Sequence, residues 1–225
     1  MKQSMFDTLL SLPLFQGLGH SDLTRILEST RLKFTTVGEN EVLLRQDEAC
    51  TGLLFLLDGE LTQTTLSADR SWNVEETMAT PAVEGLEVLY GSNRTHRHTL
   101  KTCSETHLVQ MDKRTVGALI AYFEVFRLNV LNLLTSTIVR REQHLWLPAE
   151  GNLKGRLRQF MRAHVHRPAG TKCFHISQQM LSNYLGEDKR RVSRALHEMQ
   201  EAGLLLLDRR AIKIPSFEHL LSAPF

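Results

Sequence analysis

The residues best suited to do chemistry lie in one stretch, His175 to Gln200, HISQQMLSNYLGEDKRRVSRALHEMQ. Ser177 is placed to cap a helix, Met180, Leu181, Tyr184 and Leu185 form one apolar stripe, and Gly186 ends it. Asp188 then caps a second helix. Taking about 100° per residue from Val192, the residues Ala195, Leu196 and Met199 fall within about 60° of it and face a core. Arg190, Arg194 and His197 come out at about 160°, 200° and 140°, on the opposite side. Two short helices joined by a glycine-bearing turn, the second with guanidinium groups outward near its start, meet the requirements of a major-groove reader. Arginine forks match guanine O6 and N7, while the free N–H groups of a helix start attract phosphate. Lys189, in the first turn, can reach either.

The flanks add to this reading. Leu204–Leu207, Asp208-Arg209-Arg210 and Ala211–Ile214 predict a β-hairpin with a basic tip, a wing whose Arg209 and Arg210 either contact phosphate or form a solvated turn. Upstream, Leu153–Val165 interleaves Leu153, Leu157, Phe160 and Met161 with Lys154, Arg156, Arg158 and Arg162, a helix with a basic outer face that either touches phosphates or serves solubility. Cut after Leu147, just before the candidate linker Pro148-Ala149-Glu150-Gly151-Asn152, the chain divides unequally in charge. Residues 1–147 hold 14 Lys/Arg against 18 Asp/Glu, and residues 148–225 hold 13 against 7. A basic C-terminal unit on an acidic body suggests a polyanion contact, against the plainer alternative of a solvated face.

These parts need a body to position them. The chain has 225 residues, 42% hydrophobic and 23% charged, which excludes a disordered or low-complexity class and allows two modest domains. No run approaches the roughly 18 apolar residues of a membrane span, and the N-terminus lacks a signal-peptide pattern, so cytoplasm is expected and no membrane. Cys50, Cys103 and Cys173 are too few and too scattered for a disulfide framework or a metal-ligand pair.

Met5–Leu18 and His20–Ser29 read as short helices. Short strand-like runs follow at Leu32–Val37, Glu41–Gln46, Gly52–Leu57, Leu61–Leu66, Trp72–Met78 and Thr106–Met111. Asp58-Gly59 between two of them is the strongest hairpin signal. Such spacing predicts a sandwich or jelly-roll barrel. Lys113–Ala121 and Tyr122–Leu147 then carry apolar residues three and four apart, including Val116, Leu119, Phe123, Phe126, Val130, Leu133, Leu134 and Ile138. A helix of about 25 residues spans roughly 37 Å, more than a small barrel can cover. A second copy of the chain covering the remainder would make a homodimer; the alternative is a helix lying across its own barrel.

The order of parts resembles the cyclic-AMP receptor protein (Crp/Fnr) superfamily of bacterial transcription regulators over nearly the full chain. The similarity is strongest at Ile176-Ser177-Gln178-Gln179 through Leu185-Gly186 and Arg191-Val192-Ser193-Arg194, with Leu14-Phe15-Gln16-Gly17-Leu18 and Leu57-Asp58-Gly59-Glu60-Leu61 similar to the family's helical cap and strand-turn-strand. The resemblance implies an α+β fold: a cyclic-nucleotide-binding-like β-jelly-roll barrel at 1–112, a long connecting and dimerisation helix region at 113–147, and a winged helix-turn-helix domain at 148–225. It implies double-stranded DNA with a palindromic site, a homodimer and RNA polymerase as partners. Base reading would fall on Lys189, Arg190 and Arg194, and phosphate contacts on Ser177, Gln179, Ser193, Arg209 and Arg210. Where cyclic-AMP receptors have Arg then Glu, this chain has Lys then Arg, so a changed base preference follows from replacing an acceptor by a donor.

The sensing segment departs from that pattern. Its counterpart is Glu84, Gly85 and Glu87, then Arg97 between His96 and His98, with Arg141 on the long helix. The Glu-Gly order is reversed relative to the nucleotide binders and no Ser follows Arg97, which disfavours cyclic AMP and leaves the effector unknown. Three scattered cysteines do not supply the four ligands of an iron–sulfur cluster. His96, His98 and His107 invite a haem or metal reading, but ten histidines in the chain make coincidence easy and His96-Arg97-His98 lacks a clearly placed third ligand. With no nucleophile elbow, phosphate loop or His-Glu-x-x-His, an enzyme is not expected. The competing expectation is a cyclic-nucleotide-binding or protein-interaction module without DNA binding.

Overall fold

The computed structural model describes residues 5–30, 32–146 and 151–225. In chain order the elements begin with α1 (Met5–Ser11), α2 (His20–Ser29), β1 (Lys33–Val37), β2 (Val42–Leu44), β3 (Gly52–Asp58), β4 (Leu61–Leu66) and β5 (Asn73–Met78). Next come β6 (Ala82–Glu84), α3 (Leu86–Leu89), β7 (Thr99–Thr102), β8 (Thr106–Asp112), α4 (Lys113–Tyr122) and α5 (Glu124–Leu145). The C-terminal part holds α6 (Leu153–Ala163), β9 (Lys172–His175), α7 (Gln178–Leu185), α8 (Lys189–Glu201), β10 (Leu206–Asp208), β11 (Ala211–Ile214) and α9 (Phe217–Ser222). The chain forms two compact units, one of residues 1–61 and 78–145, the other of 62–77 and 146–225. Pro148, Ala149 and Glu150 of the candidate linker lie outside the described residues.

In the first unit an antiparallel sheet runs β1-β8-β3-β6, and β2 pairs with β7. The apolar run of β3 is explained by burial on both faces. Leu53 and Phe55 enter one cluster with Val109 and Met111 of β8, whereas Leu54 and Leu56 enter another with Leu44, Leu61, Met78, Leu100 and Leu108, as the two-residue period of a strand requires. In the first cluster Phe15 meets both Phe55 and Phe126 edge-on, each at 5.4 Å between ring centroids.

Among the described residues the expected jelly-roll barrel is not found. The four-stranded sheet is open, with β1 and the three-residue β6 at its edges. Closure needs a partner on both sides of every strand, and β4 and β5, counted toward a barrel from their composition and spacing, fall almost wholly in the second unit. Nor does Asp58-Gly59 close a hairpin, because β3 pairs with β6 and β8. Gly59 (φ +107°) instead supplies a left-handed step out of the sheet.

The long helical stretch is broken at Phe123, whose extended backbone ends α4 before α5 begins. Along α5, Phe126 and Val130 are buried, but Leu128, Leu131, Ile138 and Val139 are each about half or more exposed. With Thr135 they fall within about 100° on one side of the helix.

In the second unit the strand order is β10-β11-β9-β5-β4. Val74 pairs with Phe174 and Glu76 with Lys172, and β9 pairs onward with β11, so that Phe174 faces Ile212. The core of this unit gathers Trp72 and Val74 with Leu157, Phe160, Phe174, Leu181, Val192, Leu196 and Met199. No single helix among the described residues is long and apolar enough to cross a membrane.

Candidate nucleic-acid interface

The helix pair α7–α8 forms as its caps dictate. The Ser177 hydroxyl accepts from Met180 N–H, Gly186 ends α7 in the left-handed region at φ +63°, and the Asp188 carboxylate accepts from Arg190 N–H. A Cβ at Gly186 would meet nothing within 4 Å, so its backbone angle alone calls for glycine. The buried face of α8 is Val192, Ala195, Leu196 and Met199, the four residues that the helical period assigns to the core. Glu187, in the turn, is held by two cations: Arg156 of α6 at 2.7 Å and Arg191 of α8 at 2.6 Å. Arg156 also donates to the Leu185 carbonyl.

Lys189, Arg190, Arg194 and His197 are all exposed. Lys189 shares a groove of about 300 Å³ with Ser177, Gln179, Arg209 and Arg210. The wing is present as the antiparallel pair β10–β11, in register Leu206 with Lys213 and Asp208 with Ala211, and Arg209 and Arg210 occupy its tip. Arg194 stands on the other flank of α8, lining a second cavity with Asn152, Lys154, Arg191 and Glu198. The candidate reading residues therefore spread over the outward arc of one helix rather than converging on a point. Ser193 is half-buried.

The basic residues of α6 are engaged internally. Lys154 pairs with Glu198 at 2.7 Å, Arg156 grips Glu187, and Arg158 donates to the Ala223 carbonyl with its guanidinium 4.8 Å from the Phe225 ring centre. Lys154 holds the Glu198 carboxyl below its usual range. These cations tie α6 to α8 and to the C-terminus. The acidic partners were visible in the sequence, but separations of 31 and 44 residues gave no local signal.

In the first unit three of the candidate effector residues, Glu84, Glu87 and Arg141, are held in pairs. Glu84 accepts from or faces His98 Nε2 at 3.1 Å with both side chains nearly buried, and Arg141 donates to Glu87 at 2.7 Å. Arg97 is exposed. Gly85 begins α3 at φ +94°, and a Cβ there would lie 2.8 Å from the Gly52 carbonyl oxygen and 3.1 Å from Cys50 Sγ. His96 is pushed down by burial first and by neighbouring His98 second. His107 bonds Asp58 at 2.8 Å. Among the described residues no group of three or more His, Cys, Asp or Glu could hold a metal ion.

Residues 155–223 match the family model of the Crp-like helix-turn-helix domain. No curated protein matches the chain. In fold, it is similar to the catabolite activator protein of Thermus thermophilus, at 18% identity and TM-score 0.53, covering 92% of this chain and 97% of that one. It is also similar to a protein of Eubacterium rectale assigned to the Crp/Fnr family of transcriptional regulators, at 19% identity and TM-score 0.51, covering 93% and 96%. The chain thus shares the fold of these two proteins, and its C-terminal unit contains a Crp-like helix-turn-helix domain.

Proposed function

We propose that the chain is a homodimeric, sequence-specific DNA-binding regulator of transcription that places α8 in the major groove. The observation that carries this reading is the outward arc of α8, where Lys189, Arg190 and Arg194 are exposed while Val192, Ala195, Leu196 and Met199 are buried. Arg190 and Arg194 read base edges, Lys189 reads a base or a phosphate, and Ser177, Gln179, Ser193, Arg209 and Arg210 position the phosphates around them. The exposed stripe Leu128, Leu131, Ile138 and Val139 of α5 is the face a second copy covers. The two reading helices then address half-sites about 34 Å apart in a palindrome.

A cyclic nucleotide is disfavoured as effector. An anionic sugar phosphate calls for uncommitted donors, whereas Arg141 is spent on Glu87 and the segment presents two carboxylates, Glu84 and Glu87. The test is selection of effector-free protein on random duplex DNA at about 150 mM salt. An enriched two-fold palindrome supports the reading. No enrichment, with or without cyclic nucleotides, overturns it.

A further inference from the structure

The hairpin β4–β5 has no counterpart role in the reading above, yet its residues sit inside the DNA-reading unit. Strand β5 adds to β9 through four residue pairs, Asn73–His175 to Glu76–Lys172. Trp72, 6% exposed, packs against Phe160 and His164 at 5.6 and 4.9 Å between ring centres, and its indole N–H donates to the Tyr184 hydroxyl of α7 at 3.1 Å. Glu76 accepts the backbone N–H groups of His166 and Arg167 and pairs with Lys172 at 3.2 Å, both side chains fully buried. Arg167 donates to Gln63 of β4 at 3.1 Å. A strand that brings a core tryptophan and a fully buried carboxylate is a component of the unit it joins.

We propose that residues 62–77 are a working part of the DNA reader, with Trp72 and Glu76 as positioning residues: Trp72 braces the first helix of the pair through Tyr184, and Glu76 anchors the loop that leads into β9. This rests on the DNA-binding reading above. Reading helices must hold their side chains within about 0.5 Å of productive geometry, and second-layer packing does that. Because the chain passes between the units at 61/62 and 77/78 as well as at 145/146, the brace is continuous at both ends with strands of the first unit. The state of those strands therefore has a covalent route to α7 besides the segment after α5.

Two measurements on the full chain test this. Glu75 lies directly opposite Cys173, and opposite residues of an antiparallel pair meet the Cα separation a disulfide needs. In Glu75→Cys treated with diamide, a disulfide joining positions 75 and 173 within one chain is expected on a non-reducing gel and in the peptide masses. Its absence overturns the placement. Second, affinities are measured for the selected DNA site and its single-base variants. Trp72→Ala is expected to narrow that discrimination about tenfold, the factor a coupling of this kind carries, and Trp72→Phe to keep most of it. Loss of folded protein lowers only the active fraction and leaves the ratio unchanged. Should Trp72→Ala not fold, Tyr184→Phe gives the same readout. Discrimination within twofold of wild type in the folded variant overturns the positioning role. If wild-type protein selects no DNA, the reading role falls with the proposed function, while the disulfide still reports where the strand lies.

Discussion

Replacing Glu76 with Gln should destabilise the second unit by about 3–5 kcal/mol, the range for removing one partner of a buried ion pair. The side chains of Glu76 and Lys172 are both 0% exposed, with nitrogen and oxygen 3.2 Å apart. Glutamine keeps the shape and one oxygen but removes the charge paired with the Lys172 ammonium, which also donates to the Ala169 carbonyl at 2.6 Å and keeps only a weaker attraction to Glu218. For a chain of this size each kcal/mol moves the melting point by about 2–4 °C, so a fall of at least about 6 °C is expected by calorimetry. Lys172→Met should act in the same direction. The double variant Glu76→Gln/Lys172→Met should recover part of the loss, since it removes the stranded ammonium while one side-chain oxygen at 76 still accepts a backbone N–H of the 166–167 loop. A Glu76→Gln variant within about 0.5 kcal/mol of wild type, as for an ordinary surface change, would refute the reasoning and mean that water reaches the pair. Burial pushes the Lys172 ammonium below its usual 10.5, more than Glu76 raises it. In the window below 10.5 the unfolded chain therefore binds more protons at this site than the folded one. Wild-type stability gains from this group as pH rises through the folded pKa toward 10.5, and Lys172→Met lacks that gain.

Arg194→Ala should relax selectivity at one base position at a loss of about 1–3 kcal/mol, whereas Arg209→Ala should weaken all DNA sequences alike and lower the salt slope by about 1, both read from binding titrations over salt. Leu131→Glu, on the exposed side of α5, should shift a dimer toward monomer in sedimentation velocity, because a charge cannot enter an apolar interface unpaired; an unchanged dimer would place the interface elsewhere. Gly186→Val should destabilise by about 1–2 kcal/mol through its left-handed backbone alone, measurable by urea denaturation, since space for the side chain is open.

The helix pair was legible residue by residue because caps and helical period are local signals: Ser177, Gly186, Asp188 and the buried face of α8 stand where the pattern put them. The strands at Lys33–Val37, Gly52–Asp58 and Thr106–Asp112 were legible for the same reason. What the composition and spacing of short runs do not encode is partnership. Nothing in Leu61–Leu66 or Asn73–Met78 tells which sheet they join, and the barrel expectation failed on that point. The short β6, β7 and β9, with three or four residues each, carry too little periodicity to stand out. The cations of α6 were read as an outer face, for phosphate or for solvent, because their acidic partners are remote in sequence. The candidate effector residues were named through resemblance, and the pairing of Glu87 with Arg141 across 54 positions had no sequence signature.

The donated strand also governs the order of events at the ribosome. Glu76 emerges 90 residues before His166, whose N–H it will bind, and at about 5–20 residues per second the hairpin waits roughly 5–20 s for its sheet. During that interval Trp72 and Val74 belong to an edge with no partner, the kind of surface that nascent chains bury by aggregating or by engaging a chaperone. The sheet of the second unit can therefore close only once translation has reached β9, so the folding of that unit waits on a strand made about 100 residues after its partner.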